Sequence, residues 1–436
     1  RQLNLLLLAA FAALALIPVY WSVLRSDWLA ARDDNPRLVE IELRTRRGTI
    51  YDTNNQPLAW SQGEDRVERT YAPASGAAVG YYSFRYGATG IEQGLDAHLR
   101  GTDGAFWEQF IRDTRHEARI GRNIRLTIDT RWQALADTAM QNQQGAAVLI
   151  SLPDHALRVM TSYPSFDPNM LNEQFTVLSD TVGAPLLNRA TQGIYQPGGV
   201  LQPFLYAAAL DRNWLHLEDV AQEGNRPIML DEFDVACVSS AENSLTFADA
   251  LRAVCPQPLF ALGDQTTLPE LSQLFANFGF ASDPVLPFSL EAEKDRNLND
   301  PARALIGQDT TTVTPLQVAI AWAGLADAGT RYAPRLVAAL QTEHGAWQTQ
   351  VATQEGVEMV SAESANKIIS TLQRDGSITE HTAFAIADTD GSQTIWYLAL
   401  GPMPNPRYAL VLVVEDGEVD LVREIGRGLI GGIISR

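Results

Sequence analysis

Apolar residues run almost without interruption from Leu3 to Leu24, and no charge falls among them. Roughly 22 residues of helix, rising about 1.5 Å each, reach about 33 Å, close to the thickness of a bilayer core. The run predicts an uncleaved transmembrane anchor over residues 1–25. Tyr20 and Trp21 sit near one end of it, where interfacial aromatics gather. A cleaved signal peptide or a buried core helix is the competing reading. The run is long for a signal segment, and no small-x-small cleavage site follows it. Arg1 lies before the run and Arg25 and Arg32 after it, so charge alone does not orient the span.

The periodicity then changes. Val39-Glu40-Ile41-Glu42-Leu43-Arg44 alternates as a half-buried strand does. Thr49 to Ala59 reads as two strands around an Asn54-Asn55 turn. A helix is expected from about Thr130. Gly145 to Ser151 and Ala156 to Ser162 are β-rich apolar runs joined by Leu152-Pro153-Asp154-His155, an antiparallel hairpin. Pro197-Gly198-Gly199 supplies a sharp turn, since glycine reaches positive φ without strain. Val200 to Leu210 then has helix propensity and an apolar face. Pro315 takes the first-turn position of a further helix. Trp396 to Leu400 and Ala409 to Val414 predict a last hairpin through Pro404-Asn405-Pro406, and a helix around Gly417 to Ile434 would close the sheet.

A chain of 436 residues has material for two to three domains. Its net charge of -19 argues against nucleic acid as a partner, because like charges repel. The histidines His98, His116, His155, His216, His344 and His381 show no metal-ligand spacing. No phosphate-binding loop and no Gly-x-Ser-x-Gly elbow occurs, so neither metal nor cofactor is expected. Cys237 and Cys255 read two ways. Either they close a disulfide in an oxidising extracytoplasmic space, or they are buried free thiols.

Several stretches share a pattern. Arg46-Arg47-Gly48-Thr49-Ile50-Tyr51-Asp52 with Pro57-Leu58-Ala59, then Gly87-Ala88-Thr89-Gly90-Ile91-Glu92, resemble the pedestal of class B penicillin-binding proteins of the short, actinobacterial type. Pro164-Ser165-Phe166-Asp167-Pro168-Asn169, Asn188-Arg189-Ala190, Ile306-Gly307-Gln308 and Thr314-Pro315-Leu316-Gln317 resemble that family's transpeptidase domain. The resemblance implies an α/β (α+β) fold in three parts: the anchor, a small β-rich pedestal over 26–131, and a transpeptidase-type domain over 132–436 with a mainly antiparallel sheet flanked by helices. It also implies a single-pass protein of the bacterial cytoplasmic membrane with its body outside. The implied partners are a polytopic peptidoglycan glycosyltransferase and peptidoglycan peptides.

In that family Ser-x-x-Lys, Ser-x-Asn and Lys-Thr-Gly converge on the acyl-transfer site. Here Tyr195-Gln196-Pro197-Gly198-Gly199-Val200-Leu201-Gln202-Pro203-Phe204 is similar to Tyr-x-Pro-Gly-Ser-x-Phe-Lys-Pro-Phe, with Gly199 at the serine and Gln202 at the lysine. Val254-Cys255-Pro256 matches Ser-Cys-Asn, with Val254 for the serine and Pro256 for the asparagine. Counting back from the Trp396 strand puts Asp388 at the lysine of Lys-Thr-Gly. The chain holds two lysines, Lys294 and Lys367. Ser364-Ala365-Asn366-Lys367 satisfies Ser-x-x-Lys, but within what reads as a partly solvated amphipathic helix. The expectation is a catalytically inactive homologue that scaffolds or regulates cell-wall synthesis. The alternatives are a non-covalent sensor of peptidoglycan or β-lactams, and an active D,D-transpeptidase using Ser364 and Lys367.

Overall fold

The computed structural model describes residues 2–20, 45–63, 67–103, 120–242, 244–288, 290, 298–351 and 355–435. The strand expected at 39–44 and Lys294 lie outside the described residues, as does the distal part of the expected anchor. Helix α1 (Gln2–Val19) covers 18 residues, with Pro18 near its end. At about 1.5 Å per residue it is about 27 Å long, short of a bilayer core of about 30 Å. Among the described residues no helix is long and apolar enough to cross a membrane.

The chain first lays down β1 (Ile50–Tyr51), β2 (Pro57–Gln62), β3 (Glu68–Tyr71) and β4 (Ile124–Leu126). β5 (Gly145–Ser151) and β6 (Ala156–Tyr163) form the expected hairpin. Much later come β7 (Val337–Gln341) and β8 (Trp347–Thr349), and finally β9 (Gln373–Asp375), β10 (Ile378–Ile386), β11 (Gln393–Gly401) and β12 (Tyr408–Glu415). The pedestal sheet has the order β8-β7-β4-β1-β2-β3. The boundary expected after Arg131 therefore does not part the sheets, because β7 returns to pair with β4. The pedestal also holds a buried cluster: Glu92 is fully buried between Arg47 and Arg69.

The larger sheet, β9-β10-β11-β12-β5-β6, is antiparallel throughout. Its side chains alternate between two cores, as a period of two requires. Trp396, Leu398, Val411, Val413, Val148 and Ile150 face one core. Ile395, Tyr397, Leu410, Leu412, Ala147 and Leu149 face the other. Helices α2 (Thr130–Ala139), α3 (Arg189–Gln192), α4 (Gln202–Asp211), α5 (Phe247–Ala253), α6 (Pro315–Ala326), α7 (Ala362–Thr371) and α8 (Val419–Ile434) complete the domain. On the first face lies α6, buried from Pro315 to Leu325 and started by a capping box between Thr314 and Gln317. Trp322 on α6 donates its indole N–H to the Ala399 carbonyl across 3.0 Å. On the second face lies α8. A Cβ on Gly426 would come within 2.2 Å of the Tyr397 ring, so glycine is what lets helix and sheet meet there.

Candidate functional site: the centre around Gly199

The loop into α4 is held from four sides. Tyr195 exchanges backbone hydrogen bonds with Val313 at 3.0 and 2.9 Å. Its hydroxyl donates to Glu415 Oε1 at 2.7 Å, and Arg189 Nε donates to the same oxygen at 2.8 Å. Trp396 Nε1 donates to the Gln196 carbonyl at 3.1 Å. The Gly198 N–H donates to the Gly307 carbonyl at 2.9 Å. Gly198 has φ +54, and a Cβ there would lie 2.4 Å from the Phe384 carbonyl oxygen, so this turn needs glycine. A 3-10 turn over Gly198–Leu201 then passes into α4. Gly199 thus stands at the opening of a helix.

Of Gln202, Val254, Pro256 and Asp388, all but Asp388 meet around Gly199. Gln202 is buried one turn on; its Nε2 donates to the Cys255 carbonyl at 3.1 Å, and its Oε1 has no partner. Val254 ends α5 in the left-handed region, φ 56 and ψ 50, an unfavourable place for a β-branched side chain. It leans over Gly199, where a Cβ would lie 3.1 Å from Val254 Cγ1 and 3.1 Å from Ala383 Cβ. Val254 and Pro256 border, with Gly199 and Gln202, a space of about 10 Å³, enough for about one water. The loop after the short strand Phe233–Val235 covers it with Ala236 and Val238. A disulfide between Cys237 and Cys255 ties that cover to the second motif. Closing a loop near this size stabilises by roughly 3 kcal/mol.

Asp388 is the exception and the correction. It lies just past the end of β10, in the turn to β11, where its carboxylate accepts from the Thr389 N–H. The part of β10 beside Gly199 is 381–385: His381 Nε2 lies 3.0 Å from the Gly199 carbonyl, and Ala383 touches the glycine. The third motif's place therefore falls to His381-Thr382-Ala383. Counting back from Trp396 stopped seven residues short, because the register across the β10–β11 turn sets Ala383, not a residue near 388, opposite Trp396. The signal that was missed is Thr382, second in its triplet as threonine is in Lys-Thr-Gly. Burial pushes His381 down to about 4, against the hydrogen bond to Gly199. At neutral pH the ring is uncharged and donates its Nε2–H, because a carbonyl only accepts. At the places of the family's serine and two lysines the described residues put a glycine, an amide and a neutral imidazole.

Ser364 and Lys367 are elsewhere. Ser364 is buried on α7, and Lys367 is half-exposed with Nζ 3.5 Å from Glu218. Neither borders the space at Gly199. Among the described residues no cluster of three or more His, Cys, Asp or Glu could hold a metal.

This arrangement, a helix-opening residue flanked by a strand edge and a second loop, is shared with proteins of known kind. Residues 145–426 match the penicillin binding protein transpeptidase domain, and 47–124 match the penicillin binding protein A dimerisation domain. The chain belongs to the penicillin-binding protein transpeptidase family. It is 29% identical to the peptidoglycan D,D-transpeptidase PbpA of Mycolicibacterium smegmatis, over 91% of this chain and 89% of that one. The crystal structure of PBPA from Mycobacterium tuberculosis superposes with a TM-score of 0.78 at 26% identity, covering 89% of this chain and 99% of the other. An imipenem acyl-enzyme complex of that protein gives a TM-score of 0.79 at 26% identity, covering 90% and 99%.

Proposed function

We propose that this chain is a catalytically silent member of its family that serves peptidoglycan synthesis as a scaffold or regulator. The observation that carries the reading is Gly199. The helix-opening residue offers no oxygen to attack a carbonyl, and its neighbours Val254 and Ala383 crowd any side chain there, each 3.1 Å from its Cβ. Acyl transfer by this family's chemistry needs a nucleophile, an adjacent base and donors for the oxyanion. At the lysine positions stand a neutral amide and a neutral imidazole. A space of about 10 Å³ is also too small for a peptide or a β-lactam, so the sensor alternative gains no support from the centre.

In this reading, residues 3–24 anchor the protein in the cytoplasmic membrane with its body outside, where the Cys237–Cys255 disulfide is stable. The pedestal keeps its Arg47–Glu92–Arg69 core. It would present the chain to a polytopic peptidoglycan glycosyltransferase in the membrane.

The test is covalent labelling by a fluorescent penicillin. The protein is expected to give no labelled band after denaturation. The double variant Gly199→Ser, Gln202→Lys is expected to acylate slowly at most and to transfer no peptide, since Val254, Pro256 and His381 are unchanged. A labelled wild-type band mapped to Ser364 would replace this reading with the rearranged transpeptidase.

A further inference from the structure

At the junction of pedestal and transpeptidase-type domain lies a cavity of about 400 Å³, a size typical of small-molecule sites, which span about 300–1,000 Å³. The pedestal wall is mostly backbone, with Gly76, Gly80 and Gly90 on it. The opposite wall carries Thr161, Phe166 and one carboxylate, Asp137 of α2. Phe166 meets Tyr81 edge-on at 5.9 Å and adds aromatic surface.

Among the described residues Asp137 meets no cation. Its carboxylate accepts from the Thr161 hydroxyl and, at 3.4 Å, from Gln133 Nε2, both neutral donors. Among the described residues, no arginine, lysine or histidine borders the cavity. Asp52, also buried, is held by the Asn54 and Gln56 N–H groups and the Thr130 hydroxyl and borders no such cavity, whereas four other carboxylates meet arginine. Glu92 meets Arg47 and Arg69, Asp154 meets Arg158 and Arg335, Glu380 meets Arg427, and Glu415 meets Arg189. A carboxylate held away from water without a counter-charge is costly, and burial raises Asp137 to about 6. A guest that brings the missing positive charge would offset that cost. A bare divalent metal does not fit, because one carboxylate is too few ligands. An anion would be repelled. An organic ammonium, with donors for Asp137 and carbon for Phe166, suits both.

We propose that this junction cavity binds a small molecule carrying a protonated amine, held by the Asp137 carboxylate. The site is separate from the Gly199 centre and does not depend on that centre being inactive.

The experiment is calorimetric titration of the full chain in detergent with three probes of one length: 1,5-diaminopentane, 1,5-pentanediol and glutarate. At pH 7.5 the diamine is expected to bind with a Kd below about 1 mM, and the diol and the diacid to give no heat up to about 10 mM. Asp137→Asn keeps the Thr161 contact but removes the charge, and should weaken the diamine at least about tenfold. Ser165→Trp, at the exposed rim, should block the cavity and leave the melting temperature unchanged. At pH 5, as Asp137 protonates, the affinity should fall several-fold. No diamine binding at about 10 mM, equal binding by the diol, or equal binding by Asp137→Asn would each overturn the proposal.

Discussion

Around Tyr195 the polar groups that leave water are paired. Arg189, almost fully buried, reaches Glu415 with Nε and the Ala184 and Gly183 carbonyls with its two terminal nitrogens; the Tyr195 hydroxyl closes on the same Glu415 oxygen. A few residues on, around Gly199, that rule fails. The Gln202 amide oxygen is buried without a partner, Val254 is strained at φ 56, and His381 is driven neutral by its surroundings. Unpaired polar atoms and sparse backbone regions ordinarily mark a site where function outweighs stability. Here that irregular geometry surrounds a glycine, an amide and a neutral imidazole. The frame is under a stability constraint of its own, because Tyr195, Val200 and Leu201 of the loop it holds belong to the same core as α4. The reactive positions carry no such constraint.

The contrast is broken most sharply by removing a pair from the frame. Glu415→Ala leaves the Arg189 guanidinium without its charge partner and the Tyr195 hydroxyl without its acceptor. Breaking a buried pair from one side costs about 3–5 kcal/mol. Because the Glu415 side chain is 26% exposed, the low end, about 3 kcal/mol, is expected. At the centre, Gln202→Met removes an unsatisfied oxygen together with one hydrogen bond, and the change should stay within about 1 kcal/mol. Denaturant midpoints of the two variants check this. A loss below about 1 kcal/mol for Glu415→Ala would mean that the frame is not held as described.

How much of this was legible beforehand follows from what each residue encodes locally. The hairpins and helices were readable because period-two and apolar-face patterns repeat over many residues, and Thr314-Pro315-Leu316-Gln317 announces a capped helix start. Gly199, Gln202, Val254 and Pro256 were readable because each sits within a longer fixed phrase. The return of β7 and β8 to the pedestal was not, since a pairing with β4 more than two hundred residues away leaves no local signal. His381 was missed for a related reason. Its meaning comes from a strand running beside Gly199, and a count along the sequence through a turn of unknown length could not fix that register. Asp137 lies in an ordinary amphipathic helix, and only the folded chain sets it on the wall of a cavity.

A second test uses pH. Burial pushes the folded His381 imidazole down to about 4, below the ordinary value of 6.5, so the folded state binds its proton later than the unfolded chain does. Its contribution is therefore fully present above pH 6.5 and is lost as pH falls towards 4. Between pH 6.5 and pH 5 the loss amounts to about 2 kcal/mol. His381→Gln can still donate to the Gly199 carbonyl and does not titrate. Since the carboxylates contribute alike to both proteins, the difference between wild type and variant isolates the imidazole. Parallel stability curves over that interval would show that the ring is not held neutral against Gly199.

The smallest effect is the most specific to the closure of the centre. Gly199 is not in the left-handed region, so alanine there meets no backbone penalty and stiffens the unfolded chain, a gain of about 0.4–1 kcal/mol taken alone. Against that gain stands the tight approach of the new Cβ to Val254 Cγ1 and Ala383 Cβ, both at 3.1 Å. Val254→Ala removes the first of these contacts, at a cost of about 1.5 kcal/mol in lost burial. If Val254 occupies the room of the missing side chain, the two substitutions cannot be independent. Gly199→Ala should be more favourable in the Val254→Ala background than in the wild type by about 0.5–1 kcal/mol. The Ala383 contact survives in both, which keeps the coupling below the full cost of an overpacked core. A double-mutant cycle of chemical denaturation measures the term. Additivity within about 0.3 kcal/mol would place Val254 out of contact with residue 199 and remove the steric half of the case against acyl transfer. The missing nucleophile would then carry that case alone.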